Sequence, residues 1–224
     1  VEVIDDLGGL DLNITQGEMN QINKYKKDVD GVTGKNTPNV TQYGLVHLDG
    51  TQATTYARIR KLSGDDFKRA SRQRIVLQAM LEKAKKANPA TLVKICNSVV
   101  DDISTTLSLD QMVSLAKDVT KYKISSTTGF PTDLTTKNMP RCGDTVIPAD
   151  LVTNVKKLHE YMFDDAAYTP SQTVQAISET IVNTTGITAD SAKINTSDYN
   201  ETVGATGTDE IQKGSETTGG TNVQ

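Results

Sequence analysis

The chain has 224 residues, with 24 Lys+Arg against 28 Asp+Glu and a net charge of −4. That length suits one large domain, or a domain with an appendage, and the negative balance excludes a generally basic nucleic-acid binder. No apolar run approaches the ~18 residues needed to span a bilayer. Hydrophobic residues make up only 36% and aromatics 4%, so part of the chain is expected not to fold.

The segment Val1 to Ile4, the turn Gly8-Gly9 and the alternating Leu10-Asp11-Leu12-Asn13-Ile14 predict strand, glycine turn, strand. This start reads like the inside of a sheet domain, so the sequence is expected to be a piece of something longer. Residues 17–27 suit a polar helix around Met19, Ile22 and Tyr25, and 30–43 a Gly/Asn/Thr/Pro loop. Leu45 to Gly50 precedes a turn and the segment Thr51 to Arg60. A strong helix follows from about Asp66 to Ala87, with Val76, Leu77, Met80, Leu81 and Ala84 at helical spacing and Asn88-Pro89 at its end.

Further helices are expected at 90–104, 108–120, 149–163 and 170–185, around an irregular stretch at 129–148. From Asn195 to Gln224, Ser, Thr, Gly and Asn supply 17 of 30 residues. Such a segment cannot bury enough apolar surface to offset its ordering entropy. The tail, 191–224, is expected to be disordered.

Chemistry concentrates in the arginines. There are six, and five fall between residues 58 and 74: Arg58, Arg60, Arg69, Arg72 and Arg74. The window 58–86 carries ten basic residues and three acids, net +7. The planar guanidinium fork suits phosphate or carboxylate. A solvated basic helix is the ordinary reading of such a run, yet three acids cannot neutralise ten bases, and an anion site stands level with it.

On a helix, Arg69 and Gln73 stack at i,i+4 beside Arg72, and their stripe continues into Val76, Leu77 and Met80. That phase turns Arg69 and Gln73 inward at the mouth of the core. Arg58 and Arg60 share a face if extended and diverge by about 200° if helical, which leaves both open. Asp65 and Asp66 stand where one caps the helix and the other orients an arginine.

His47 and His159 stand in apolar settings, where a lone histidine is ordinarily structural. Cys96 and Cys142 fit no zinc or redox spacing, and a disulfide and two separate thiols are equally compatible with them. Gly8-Gly9 lacks the Lys-Ser/Thr of a phosphate loop.

Four blocks carry a resemblance: Asp6-Leu7-Gly8-Gly9-Leu10, His47-Leu48-Asp49-Gly50-Thr51-Gln52-Ala53, Tyr56-Ala57-Arg58-Ile59-Arg60 and Asp65-Asp66-Phe67-Lys68-Arg69-Ala70-Ser71-Arg72-Gln73. In this order they resemble the LytR-CpsA-Psr family, over about the first 90 residues. The resemblance implies an α/β fold: a partial α/β/α sandwich with a mixed central sheet (1–90), a helical extension (91–190) and the tail.

It further implies a phosphotransferase, membrane-anchored by an N-terminal helix on the extracellular face of a Gram-positive cell. Such a protein moves a glycopolymer phosphate from a polyprenyl-pyrophosphate carrier to peptidoglycan. Carried over by position, Arg58, Arg60, Arg69 and Gln73 would be catalytic and hold the pyrophosphate. Arg72 would assist them, and Asp66 would orient them. The family's Mg²⁺ ligands belong to Arg-Ser-Asp-like and Pro-Arg-Asp-like segments that do not occur here. The chain alone is therefore expected to be inactive, with no metal ligand and no nucleic-acid partner. The alternatives are a non-catalytic module that binds phosphorylated lipid or polymer, and an envelope-related transcriptional attenuator.

Overall fold

Every core position of the first strand alternates, and that alternation organises the N-terminal half. A computed structural model describes residues 1–60 and 65–199, with the side chains of Asp65, Asp66 and Tyr199 outside the description. It divides into two units, Val1–Tyr122 and Lys123–Glu201.

In the first unit, β1 (Leu10–Ile14) buries Leu10, Leu12 and Ile14 and leaves Asp11 exposed. It pairs antiparallel with β2 (Gly44–Leu48), Leu12 opposite Val46 and Leu10 opposite Leu48. With a side-chain period of two, this register puts all five apolar side chains on one face. They form the core with Ile4, Ile22, Val40, Ala53, Tyr56, Ile59, Ile75, Val76 and Ala79.

The expected strand at Val1–Ile4 is instead a short helix, α1 (Glu2–Asp6). Four residues, three of them apolar, do not distinguish strand from helix, and here the packing of α1 on the next-but-one helix decides it. That helix, α3 (Gly50–Ala57), opens with a capping box between Asp49 and Gln52. The Asp5 carboxylate accepts the Gly50 N–H at 2.6 Å. A Cβ at position 50 would run into the Val1 carbonyl oxygen and this carboxylate, so only glycine admits the approach.

Between the strands lies α2 (Gln16–Thr33), longer than the expected helix. Thr15 and Glu18 form its capping box, and Gly34 ends it in the left-handed conformation. One face of α2 fastens the loop that follows. Asn23 exchanges two hydrogen bonds of 2.8 Å with the Val40 backbone. Lys26 donates to the Thr37 carbonyl, and Asp30 accepts from the Thr37 N–H and hydroxyl. The loop is therefore irregular in backbone but fixed in place.

The fourth helix, α4 (Asp65–Lys86), buries Ser71, Arg72, Ile75, Val76 and Ala79. This phase differs from the expected one: Leu77 is 59% exposed, and Gln73 is exposed beside it. The cause is a buried ion pair. Arg72 Nε donates to Glu18 Oε1 at 2.6 Å, and its Nη1 reaches the Ile59 carbonyl at 3.4 Å. Both side chains are below 10% exposed, and a charge so placed requires its partner.

α5 (Pro89–Val99), capped by Asn88, packs on α1, where Lys94 pairs with Asp6 at 2.6 Å. α6 (Leu109–Lys117), opened by a Ser108–Gln111 capping box, packs on α5. No helix of the described residues is long and apolar enough to cross a membrane.

The second unit departs most from expectation. The irregular stretch 129–148 contains a hairpin of β3 (Asp133–Met139) and β4 (Gly143–Pro148), with Leu134 opposite Pro148. β5 (Ile194–Asn195) adds to the other edge of β3, and Thr196 is buried beside it. Residues 191–199, assigned above to the disordered tail, therefore belong to this fold, while 200–224 lie outside the described residues. Where a single mixed central sheet was expected, the described residues form two separate antiparallel sheets, within the same α/β class.

Two helices complete the unit, α7 (Leu151–Phe163) and α8 (Gln172–Thr185). Asn154, fully buried, locks α7 to β3: its Oδ1 accepts the Asp133 N–H, and its Nδ2 donates to the Asp133 and Asp150 carbonyls. His159 stacks on Tyr168, ring centroids 3.3 Å apart. Cys96 in the first unit and Cys142 in the second are free thiols.

Two predictions follow from the buried and half-buried charges. Arg72→Ala strands Glu18 without its cation, so urea unfolding should show a loss of roughly 3–5 kcal/mol in the first unit. Acid should also weaken that unit. Lys83 and then His47 donate to the Asp11 carboxylate and hold its pKa below the ordinary value; the Thr37 hydroxyl does the same for Asp30, against the effect of burial. A depressed carboxylate stabilises above its unfolded pKa, and that contribution is lost as pH falls through the folded one. Stability should hold from neutrality to about pH 4 and decline below it. Melting curves of Asp11→Asn and Asp30→Asn should show a flatter acid limb.

Candidate functional site

The residues that follow α3 decide the geometry of Arg58 and Arg60. Thr55, buried, donates its hydroxyl to the Thr51 carbonyl at 2.7 Å. The helix then tightens: the Arg58 N–H bonds the Thr55 carbonyl, and the Ile59 N–H bonds that of Tyr56. Arg58 is the C-cap. Beyond it the side chains alternate, Arg58 exposed, Ile59 buried in the core, Arg60 exposed. Neither the helical nor the extended alternative describes this segment as a whole: Arg58 keeps a right-handed backbone (φ −102°, ψ −2°) in a turn, and both arginines line one pocket.

That pocket has a volume of about 150 Å³ and is lined by Thr55, Arg58, Ile59 and Arg60 with Tyr25, Asp28 and Val29 of α2. Among the described residues, the Arg58 and Asp28 side chains make no hydrogen bond or ion pair. Two guanidinium groups one residue apart, at least one of them uncommitted, can grip an anion of phosphate geometry.

The other predicted site residues are placed differently. Arg72 does not face this pocket. Its guanidinium is committed to Glu18 and to the carbonyl of Ile59, the residue between the two arginines. It therefore holds the turn that presents them, and its assignment as a pyrophosphate ligand gives way to a positioning one. Arg69 is half-buried and Gln73 exposed on α4, and neither lines the pocket. The Asp66 side chain lies outside the described residues. His47 is 57% exposed and its Nδ1 lies 2.8 Å from Asp11, so the apolar setting expected for it is not found.

Glu18, Tyr25 and Asp28 were not singled out as site residues by sequence reasoning. Glu18 had a local signature, the Thr15-x-x-Glu18 capping box. Asp28 had none, because only the fold brings it within one pocket of Arg58.

No group of three or more His, Cys, Asp or Glu side chains that could hold a metal ion occurs among the described residues. The described residues therefore do not assemble a donor set that fits the Mg²⁺ implied by the resemblance.

The model of the LytR_cpsA_psr family matches residues 1–157. The chain belongs to that family. Among curated relatives, a polyisoprenyl-teichoic acid–peptidoglycan teichoic acid transferase TagU of Bacillus mycoides is 31% identical over 105 residues, 42% of this chain and 34% of its own. The corresponding TagV of Bacillus subtilis is 27% identical over 176 residues, 75% of this chain and 41% of its own. The crystal structure of B. subtilis TagV matches with a TM-score of 0.48 at 21% identity, covering 75% of this chain and 60% of that one. This LytR_cpsA_psr chain thus spans 34% and 41% of the length of those two curated relatives.

Because the Arg58 side chain makes no hydrogen bond or ion pair among the described residues, Arg58→Ala should leave urea stability within about 0.5 kcal/mol of the parent. The contrast with Arg72→Ala separates the presented arginine from the one that holds the fold.

Proposed function

We propose that this chain is part of a phosphotransferase that moves a glycopolymer phosphate from a polyprenyl-pyrophosphate carrier to peptidoglycan. It would act at the outer face of the membrane of a Gram-positive cell, held there by an N-terminal helix. Family membership and the names of the relatives support the reaction class. The observation that carries the reading to named residues is the pair of exposed arginines on one pocket, with Ile59 buried between them.

The chemistry asks for little else. An acceptor hydroxyl attacks the phosphorus next to the polymer, a new P–O bond forms, and the bond to the bridging oxygen breaks. The polyprenyl phosphate leaves with the electron pair, and the hydroxyl proton passes to solvent or a nearby base. Charge accumulates on phosphate oxygens throughout, so preorganised cations lower the barrier by stabilising it. Arg58 and Arg60, presented by a turn whose backbone is tied to Arg72, supply such cations at one pocket.

In the complete protein, Arg58→Ala should reduce transfer to a peptidoglycan acceptor by roughly 10²–10³-fold, as loss of one charge-stabilising donor does elsewhere. Full transfer activity in that variant would remove the arginine pocket from the reaction. Carrier lipid retained without any product would instead favour a binding module.

A further inference from the structure

The arginine pocket has a wall that phosphate binding leaves unused. α2 contributes Tyr25, Asp28 and Val29 to the same lining as Arg58 and Arg60. Asp28 is exposed, and among the described residues neither its carboxylate nor the Arg58 guanidinium bonds to another side chain. Opposite charges that share about 150 Å³ yet do not pair are both available to a ligand.

A bare pyrophosphate would not use them both. Its charge suits the arginines, but a carboxylate beside it only repels. A carboxylate accepts hydrogen bonds and donates none, so the ligand must carry hydroxyl or N–H donors close to its phosphate. A sugar attached through its anomeric oxygen to phosphate meets that description. The Tyr25 ring adds an apolar surface with a polar tip. The volume lies below the ~300–1,000 Å³ of pockets that enclose drug-sized ligands. It is the size of a cavity that takes a benzene, so the pocket holds the phosphate and the adjoining edge of one ring, with the rest of the ring, the remaining polymer and the carrier outside.

We propose that the pocket is a sugar 1-phosphate subsite in which Arg58 and Arg60 hold the phosphate and Asp28 accepts from hydroxyls of the adjoining sugar. Tyr25 flanks the ring. The carboxylate selects an uncharged sugar at that position, because a uronic acid would set a second carboxylate against Asp28. This assignment deepens the arginine-pocket reading and rests on it.

Calorimetric titration of the complete protein with inorganic pyrophosphate, glucose 1-phosphate and glucuronic acid 1-phosphate tests the proposal. The parent should prefer glucose 1-phosphate to glucuronic acid 1-phosphate by roughly tenfold, the worth of a hydrogen bond to a charged group. Asp28→Asn should reduce that preference to within about twofold and strengthen pyrophosphate binding by roughly threefold, since one anion beside the ligand is gone. Pyrophosphate binding that depends on Arg58, with an unchanged sugar preference in Asp28→Asn, would overturn the sugar subsite and leave the arginine reading standing. Failure of the parent to bind pyrophosphate or either sugar phosphate would overturn both. The Asp28 side chain is exposed and makes no hydrogen bond or ion pair among the described residues, so the variant should melt with the parent.

Discussion

The buried pair between Glu18 and Arg72 is the constraint on which the first unit turns. Glu18 uses one carboxylate oxygen to close the capping box of α2 on the Thr15 N–H and the other to accept from Arg72. The same guanidinium reaches the Ile59 carbonyl. One interaction therefore ties the start of α2, the middle of α4 and the turn after α3. Its net contribution to stability is modest, because both ions give up hydration. Its consequence is geometric: α4 cannot rotate about its axis, and the backbone between Arg58 and Arg60 cannot drift, without stranding a charge.

Seen from this pair, the basic window is two populations with different duties. Arg72 is nearly out of solvent and serves the fold, whereas the Arg58 side chain is exposed and makes no hydrogen bond or ion pair among the described residues. Composition alone cannot separate them, since both are guanidinium groups in one run of 29 residues. What separates them is the location of an acid 54 positions before Arg72. The phase of α4 was misjudged for the same reason. A stripe through Arg69, Gln73 and Leu77 is regular on paper, but a buried partner for Arg72 turns the helix toward Ile75, Val76 and Ala79 instead.

Other elements were legible in proportion to how local their causes are. β1 shows its inward face in Leu10, Leu12 and Ile14, and the helices capped by Asn88, Ser108 and Ser171 announce their starts. The hairpin of β3 and β4 was hidden because its strands are largely polar, with Thr136, Lys137, Asn138 and Asp144 where alternation would be sought. Its position depends on Asn154, whose amide meets the Asp133 backbone from another element. In the pocket, Arg58 and Arg60 were legible as a pair, but not the turn that aims them. Asp28 was invisible, since its significance is a distance across the fold and not a pattern along the chain.

Two like charges presented side by side in a mostly acidic chain need an explanation of their own. Part of it is the end of α3. Arg58 sits at the C-cap, where the last carbonyls of the helix carry partial negative charge, and a cation there is favoured. Asp28, in the same pocket, lowers the positive potential further without forming a bond to Arg58. The Arg58 side chain can therefore stay uncommitted among the described residues, because a helix end and a nearby carboxylate offset the repulsion between the arginines at a distance. Neither closes the fork. An anion entering the pocket completes a field already balanced around it, so the turn has no ion pair to break at Arg58 before it can bind.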